Sequence, residues 1–571
     1  MESVKRKRLP YGNSNFESVR TEGYAYVDKT RFIELLEQEG NKNLFFTRPR
    51  KFGKSLFFSM LYHYYDICSA EKFPVLFGDL YIGQHPTPKH NELMVLKLNF
   101  SGIDTTSQRG FEVSFTGKLQ MNIIDFINDH KEVLPDFGKI KQIVREYSSV
   151  SELISIPFDI SKSLNRKLFI IIDEYDHFAN DFIAMGTPEG IDFYKQNIRA
   201  NGMVRDFYET LKEGSEAVID RIMLTGITPI MLDDLTSGFN VASNISLKPK
   251  YNEILGFTQE EVEWLMKEAG VDDSRIPVDM KQLYDGYKFH YTGKHSVYNS
   301  SMMLYFFSEL LRTDYKPEYL IDENLKMDYA RLRLLLSIDS RRQILSEITH
   351  ENGIMSEIVP KFSLDKLHDS RNFTSLLFYL GLLTIDDTVP SRLKIPNQSV
   401  KAVYWEYLEE MTLEMNRIEI DTTIQAKSLY ELAYHNNPKP FLDFMVNDFL
   451  SKISYRDLIH FDEKYIKFMM LSRLMQSSLF SVISEPEFST GYADIRIKRA
   501  ANRPEIPYEW VWELKYVKVS DNKQIIEEKL SEAMTQLRKY CSSHQLKDRT
   551  DVRYLAIVFI GKDRYRMEEL K

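Results

Sequence analysis

Four short apolar runs recur between long amphipathic stretches in the first half of the chain: NLFFT at 43–47, LMVLKLNF at 93–100, LFIII at 168–172 and RIMLT at 221–225. Runs this short and this apolar do not alternate polar and apolar faces, so they read as strands buried on both sides. The helix-length connections between them make the pairing parallel. An α/β region follows, with a parallel sheet covered by helices. After about residue 300 the pattern turns mostly helical. Residues 372–383 read as a helix ending at Gly381, and LLTIDDTVPSRLKIP (382–396) as two strands around a Pro/Ser turn. A helix from Gln398 to Met411 follows, and helix–hairpin–helix in that order suggests a winged helix. From about 440 another helical stretch leads into strands at 492–498, 509–517 and 551–560, with a long helix at 522–540 before the last.

At 571 residues the chain exceeds one ordinary core. Three domains are expected, over 1–300, 301–440 and 441–571. Hydrophobic residues at 43% and charged residues at 27% suit a globular protein, and a net charge of −9 leaves no chain-wide nucleic-acid footprint. Any nucleic-acid site must be local. Cys68 and Cys541 lie far apart and fit a reducing compartment. No apolar run reaches the roughly 18 residues needed to span a bilayer. The basic cluster Lys5–Arg8 has no apolar segment after it and reads as a solvated tail. A cytoplasmic protein without membrane contact is expected.

The run FTRPRKFGKS at 46–55 has the strand–turn–helix layout of a P-loop. Gly53 lets backbone N–H groups turn toward phosphates. Lys54 offers a point charge to β/γ oxygens, and the Ser55 hydroxyl suits Mg²⁺. Arg50, Lys51 and Phe52 complete the candidate ATP loop. One departure stands out: the motif's first glycine is Arg48 here. A second element, LFIIIDEYD at 168–176, is an apolar strand ending in two acids. Asp173 suits Mg²⁺, and Glu174 can polarise the attacking water. Arg199, Arg205 and Arg221 are equal candidates for an arginine finger, and His177 beside the acids reads as a polar strand-end residue.

In the C-terminal part, GYADIRIK (491–498) and EWVWELKYVK (509–518) form a hairpin candidate. Side chains alternate faces along a strand, so Glu513 and Lys515 point the same way. Asp494 on the neighbouring strand can then share a divalent ion with Glu513. Hard carboxylate oxygens favour Mg²⁺ or Mn²⁺, and Lys515 can orient the water for phosphodiester hydrolysis. Trp510 and Trp512 fall on the opposite face, as core.

These residues carry a resemblance. LPYGNSNFESVRTEGYAYVDKT, RPRKFGKSL, IIDEYD, LTGITPI, SGFN and GFTQEEV, with the Asp494 and Glu513-x-Lys515 pattern, resemble the AAA-ATPase-like family of bacterial proteins, whose members end in a PD-(D/E)xK nuclease domain. The resemblance implies that Arg48 is family pattern and that Gly12, Phe16, Tyr26 and Asp28 lie near the nucleotide. It further implies that Thr225 reads the γ-phosphate and that Glu463 adds an acid to the nuclease site. Gln536 and Tyr540 match the family's pattern, and Asp285 and Tyr287 of YDGYKFH belong to a family-like motif. The function implied is an ATP-binding, ATP-hydrolysing protein coupled to a Mg²⁺-dependent nuclease acting on DNA, compatible with a homo-oligomer. The rival is a nucleotide-dependent switch or scaffold whose nuclease-like domain only binds nucleic acid or a partner.

Overall fold

The structure, a computed structural model, describes residues 6–177, 188–198, 202–231, 242–272, 276, 279–313, 317, 321–322, 339–454, 461–500 and 502–570. The chain divides into two compact units, one built on Met1–Arg312 and Gly353–Asn397, the other on Arg342–Asn352 and Gln398–Lys571. The dividing point Asn397/Gln398 falls inside the 301–440 stretch.

The first unit is centred on a five-stranded parallel sheet ordered β2-β3-β4-β1-β5. Its strands are β1 (Asn43–Thr47), β2 (Met94–Asn99), β3 (Leu168–Asp173), β4 (Ile219–Gly226) and β5 (Ser243–Asn244). All four apolar runs are strands of it, and β1 is buried along its whole length. β4 lies between β1 and β3, pairing Phe46 with Thr225 on one side and Leu224 with Ile172 on the other. That order sets the loop after β1 and the acids after β3 at the carboxyl edge of one sheet, where ligands of such folds bind.

One buried ionic link fixes the helix that leaves the P-loop, Lys54–Tyr65, to β2. Asp66, its C-cap, accepts from Val95 N–H at 2.9 Å and Cys68 N–H at 2.9 Å, and lies 3.0 Å from His130 Nε2. Both partners are fully buried. Burial works against the imidazolium, but the hydrogen bond and charge of Asp66 raise its pKa above the usual value. This stabilisation is therefore complete below about pH 6.5 and is lost as pH rises through the raised folded value. His130→Ala is expected to lower stability by about 3 kcal/mol, since it leaves a buried carboxylate without its cation. Thermal unfolding from pH 5 to 8 checks this: wild type loses its advantage over His130→Ala as pH rises.

Later in the same unit, β6 (Gly353–Met355), β7 (Thr384–Ile385) and β8 (Arg392–Lys394) form an antiparallel sheet ordered β6-β8-β7, after the helix Ser370–Tyr379. The helix and hairpin were foreseen; β6, three residues long, carries no sequence signal. The helix that follows, Gln398–Asn416, belongs to the second unit.

The second unit has a five-stranded mixed sheet ordered β15-β14-β13-β12-β9. It comprises β9 (Phe480–Ser484), β12 (Ile495–Arg499), β13 (Glu509–Val517), β14 (Val552–Ile560) and β15 (Arg564–Leu570). A small ribbon of β10 (Glu487–Phe488) and β11 (Gly491–Tyr492) interrupts the run to β12. β13 and β14 are parallel, connected by the helix Lys523–Cys541. Trp510, Trp512 and Leu514 join one apolar core on one face of the sheet, while Val511 and Val517 pack with Leu530, Ala533 and Leu537 of that helix on the other. Glu513 and Lys515, in phase with Val511 and Val517, share their face.

Candidate functional site

The first unit holds a cavity of about 670 Å³ at the carboxyl edge of its sheet. Arg50, Lys51, Phe52, Gly53, Lys54, Ser55, Asp173 and Glu174 all line it. Two left-handed residues shape the loop, Lys51 at φ 67° and Gly53 at φ 93°. Glycine takes that conformation at Gly53 without the Cβ penalty, and so starts the helix with its N–H groups facing the cavity. Lys54 Nζ donates to Arg48 O and Pro49 O, both at 2.9 Å. Burial pushes the Lys54 ammonium down to about 8, against the pull of Asp173. Ser55 Oγ donates to Asp173 Oδ2 at 2.8 Å, so the two candidate Mg²⁺ ligands already touch. Burial raises Asp173, with the Ser55 hydrogen bond opposing.

Glu174 takes φ 52° and sits 3.3 Å from His177 Nδ1, whose hydrogen bond holds the Glu174 carboxyl below the usual range. His177 thus has a defined partner among the acids. Arg205 pairs with Glu209, and Arg221 is buried, donating to Leu36 O. Arg199 and the SGFN run lie outside the described residues.

Arg48 explains the motif's departure. Its side chain is 1% exposed and turns away from the cavity. It donates to Thr47 O, Ser246 O and Tyr251 O, and stacks 3.8 Å from the centre of the Phe289 ring. The guanidinium therefore braces the loop from behind, a task no glycine performs. Phe52 packs edge-on to Tyr287 and Phe289, which gives the YDGYKFH run a place beneath the loop.

The structure does not bring every expected residue to the cavity. Thr225 is fully buried and donates to Phe46 O at 2.8 Å, closing β4 onto β1; Gly226 and Ile227 line the cavity instead. A Cβ at Gly226 would lie 2.3 Å from an Asp176 oxygen, so this close approach needs a glycine. Gly12 and Tyr26 line the cavity. Phe16 is core, 5.1 Å from the Tyr26 ring, and Asp28 accepts from Thr30 N–H and Tyr81 N–H, both at 2.8 Å.

Two contributions escaped the sequence reading. Asp176 accepts from Thr228 N–H at 2.7 Å and Ile227 N–H at 3.1 Å, fixing the turn after β4; its signal was the third acid of DEYD. Far downstream, Asn299 Nδ2 donates to Arg50 O at 3.2 Å and Ser301 N–H to Lys51 O at 3.1 Å. Nothing local marks those residues as partners of the P-loop.

Lys54 opens the helix and lines the cavity, so Lys54→Ala is expected to weaken ATP binding about tenfold or more. A charge-assisted contact contributes on the order of 1.5–3 kcal/mol. Calorimetric titration with ATP, beside a thermal-unfolding control, checks this.

The second unit gathers Asp494, Glu513 and Lys515. The β12–β13 register pairs Ile495 with Trp512, which sets Asp494, one residue before β12, opposite Glu513. Asp494 Oδ2 accepts from Leu514 N–H at 2.8 Å. Lys515 Nζ donates to Glu513 Oε1 at 2.9 Å and to Leu514 O at 3.0 Å. Glu513 is 3% exposed, and its Oε2 is buried without a hydrogen-bond partner. An orphaned carboxylate oxygen at such depth is costly, and a divalent cation shared with Asp494 would satisfy it. Burial, reinforced by the Asp494 charge, pushes Glu513 up to about 7. Glu463, first residue of the helix Glu463–Met475, reaches within 4.0 Å of Lys515 Nζ.

GYADIRIK is not one strand: Gly491–Tyr492 turns into the small ribbon, and Glu485 N–H donates to Asp494 O at 3.0 Å. Tyr540 O–H donates to Tyr492 O at 2.5 Å, tying the long helix to that ribbon, and Gln536 Oε1 on the same helix is buried without a partner. Lys467, Glu485 and Lys401 were not foreseen. Lys467 Nζ lies 2.9 Å from Glu485 Oε1 and 3.3 Å from Asp494 Oδ1, and Lys401 lies 3.6 Å from Glu485 Oε2.

Two family models match this chain. Residues 10–236 match the family described as predicted AAA-ATPase, and residues 461–569 match the PD-(D/E)XK nuclease superfamily. An uncharacterized protein in the vnfD 5' region of Azotobacter chroococcum mcd 1 is 25% identical over 479 residues, 79% of each chain. A solved structure, the Walker-type ATPase of Pyrococcus abyssi, aligns with a TM-score of 0.38 and 14% identity over 70% of this chain and 99% of its own. No helix among the described residues is long and apolar enough to cross a membrane. The two matches together support a two-domain assignment, similar to a predicted AAA-ATPase over residues 10–236 and to the PD-(D/E)XK nuclease superfamily over residues 461–569.

Proposed function

We propose that the chain hydrolyses ATP at the first site, cleaves DNA with a divalent metal at the second, and lets nucleotide state govern cleavage. The observation that carries the reading is the buried, unpartnered Glu513 Oε2 beside Asp494, with Lys515 hydrogen-bonded to the same carboxylate. In the ATPase step Lys54 and the helix N-terminus hold the phosphates, Ser55 and Asp173 would hold Mg²⁺, and Glu174 takes a proton from the attacking water. In the nuclease step Asp494 and Glu513 would hold Mg²⁺ or Mn²⁺, and Lys515 orients the water that adds to phosphorus as the bond to the leaving oxygen breaks. The ion, when bound, supplies charge stabilisation at the phosphoryl group.

Unpaired Cys68 and Cys541 suit a reducing, cytoplasmic setting. One observation favours the switch or scaffold reading: Asp494 is already engaged by Leu514 N–H and Lys467. Cleavage of supercoiled plasmid with Mg²⁺ or Mn²⁺ separates the two. We expect nicking by wild type and none by Lys515→Ala. Absence of cleavage by wild type with either metal hands the domain to the scaffold reading.

A further inference from the structure

We infer that Lys467 is a phosphate-binding residue of the cleavage centre, one that occupies the Asp494 carboxylate until a divalent metal takes it. The inference rests on the nuclease reading above and extends it to a residue outside the Asp494 and Glu513-x-Lys515 pattern.

Lys467 lies one helical turn after Glu463, so the two share a helix face and reach the same centre. Its side chain is 7% exposed, and an ammonium at that depth persists only with partners. The partners are Glu485 Oε1 at 2.9 Å and Asp494 Oδ1 at 3.3 Å. Around the centre, four carboxylates (Glu463, Glu485, Asp494, Glu513) face three ammonium groups (Lys401, Lys467, Lys515). With every carboxylate ionised, that balance leaves one negative charge, which repels a phosphodiester. A divalent ion on Asp494 and Glu513 reverses it to one positive charge.

The same ion competes with Lys467 for Asp494 Oδ1, because two cations on one oxygen repel. Glu485 keeps hold of the ammonium, since its backbone N–H is tied to Asp494 O and its carboxylate to Lys401 as well. Lysine has three donors and no acceptor, so the donor released by Asp494 becomes available to a non-bridging phosphate oxygen. Metal entry thus exposes a cation at the moment the substrate needs one.

The test uses the full chain and reads metal binding separately from cleavage. In Mn²⁺ titration calorimetry without nucleic acid, Lys467→Met is expected to bind about five- to tenfold tighter than wild type, because the competing ammonium is gone. Cleavage of plasmid by Lys467→Met is expected to fall at least about 100-fold, and binding of a labelled oligonucleotide in Ca²⁺ to weaken about tenfold. Lys467→Arg keeps the charge and is expected to keep Mn²⁺ affinity and oligonucleotide binding near wild type. It also carries the test should Lys467→Met fail its thermal-unfolding control. The inference is overturned if Lys467→Met binds Mn²⁺ no tighter than wild type, if it cleaves within threefold of wild type, or if Lys467→Arg binds the oligonucleotide as weakly as a neutral residue would. A wild type that binds Mn²⁺ but cleaves nothing removes the nuclease reading alone, and the calorimetric and oligonucleotide arms still decide the role of Lys467. A wild type that binds no Mn²⁺ removes both.

Discussion

Glu174→Gln is expected to bind ATP as wild type does and to turn it over at least about 100-fold more slowly, because a positioned general base contributes roughly 10²–10⁴-fold. Three observations set this expectation. Glu174 follows Asp173 at the end of β3, lines the same cavity as Lys54 and Ser55, and has its carboxyl held below the usual range by His177. A glutamine has the same shape and keeps the neighbouring contacts, so binding survives while the proton acceptor is lost. Asp173→Ala should behave differently. It removes the partner of Ser55 Oγ and the acid that would hold Mg²⁺, so its defect should appear as lost Mg²⁺ dependence of ATP binding. Steady-state turnover beside ATP titration with and without Mg²⁺ separates the two. Wild-type turnover by Glu174→Gln would leave the base elsewhere in the cavity.

The second large effect belongs to the other unit. Asp494→Asn and Glu513→Gln are each expected to lower metal-dependent DNA cleavage on the order of 10³-fold, since the ion they would share is worth several kcal/mol to such a reaction. ATP turnover should stay within about twofold, because Lys54 and Glu174 lie in a different compact unit. Cleavage by both variants at the wild-type rate would make this cluster structural.

Much of this was legible before any coordinates, and the reasons are local. Gly-Lys-Ser after an apolar run specifies a strand, a left-handed glycine and a helix start, all within ten residues. Asp173-Glu174 is readable as two acids ending an apolar strand, and Glu513-x-Lys515 because a strand's alternation fixes which side chains share a face. What was not legible comes from distance along the chain. Arg48 stands where the motif's first glycine belongs, and what its side chain does appears only when Ser246, Tyr251 and Phe289 arrive around it. Thr225 stood at the right place on its strand, yet its hydroxyl is taken by Phe46 O on β1. Lys467, in the helical run EKYIKFMML, carries no mark of its role. Only the fold sets it beside Asp494, 27 residues later.

We propose that nucleotide state at the P-loop governs cleavage at the Asp494 and Glu513 site, and cleavage in defined nucleotide states tests this. Plasmid cleavage is followed with Mg²⁺ or Mn²⁺ in the presence of ATP, of ADP and of no nucleotide, for wild type and for Lys54→Ala. Wild-type cleavage is expected to change severalfold between nucleotide states, and Lys54→Ala to show one nucleotide-independent rate. Equal wild-type cleavage in all three states, with ATP binding confirmed in the same preparation, would contradict it.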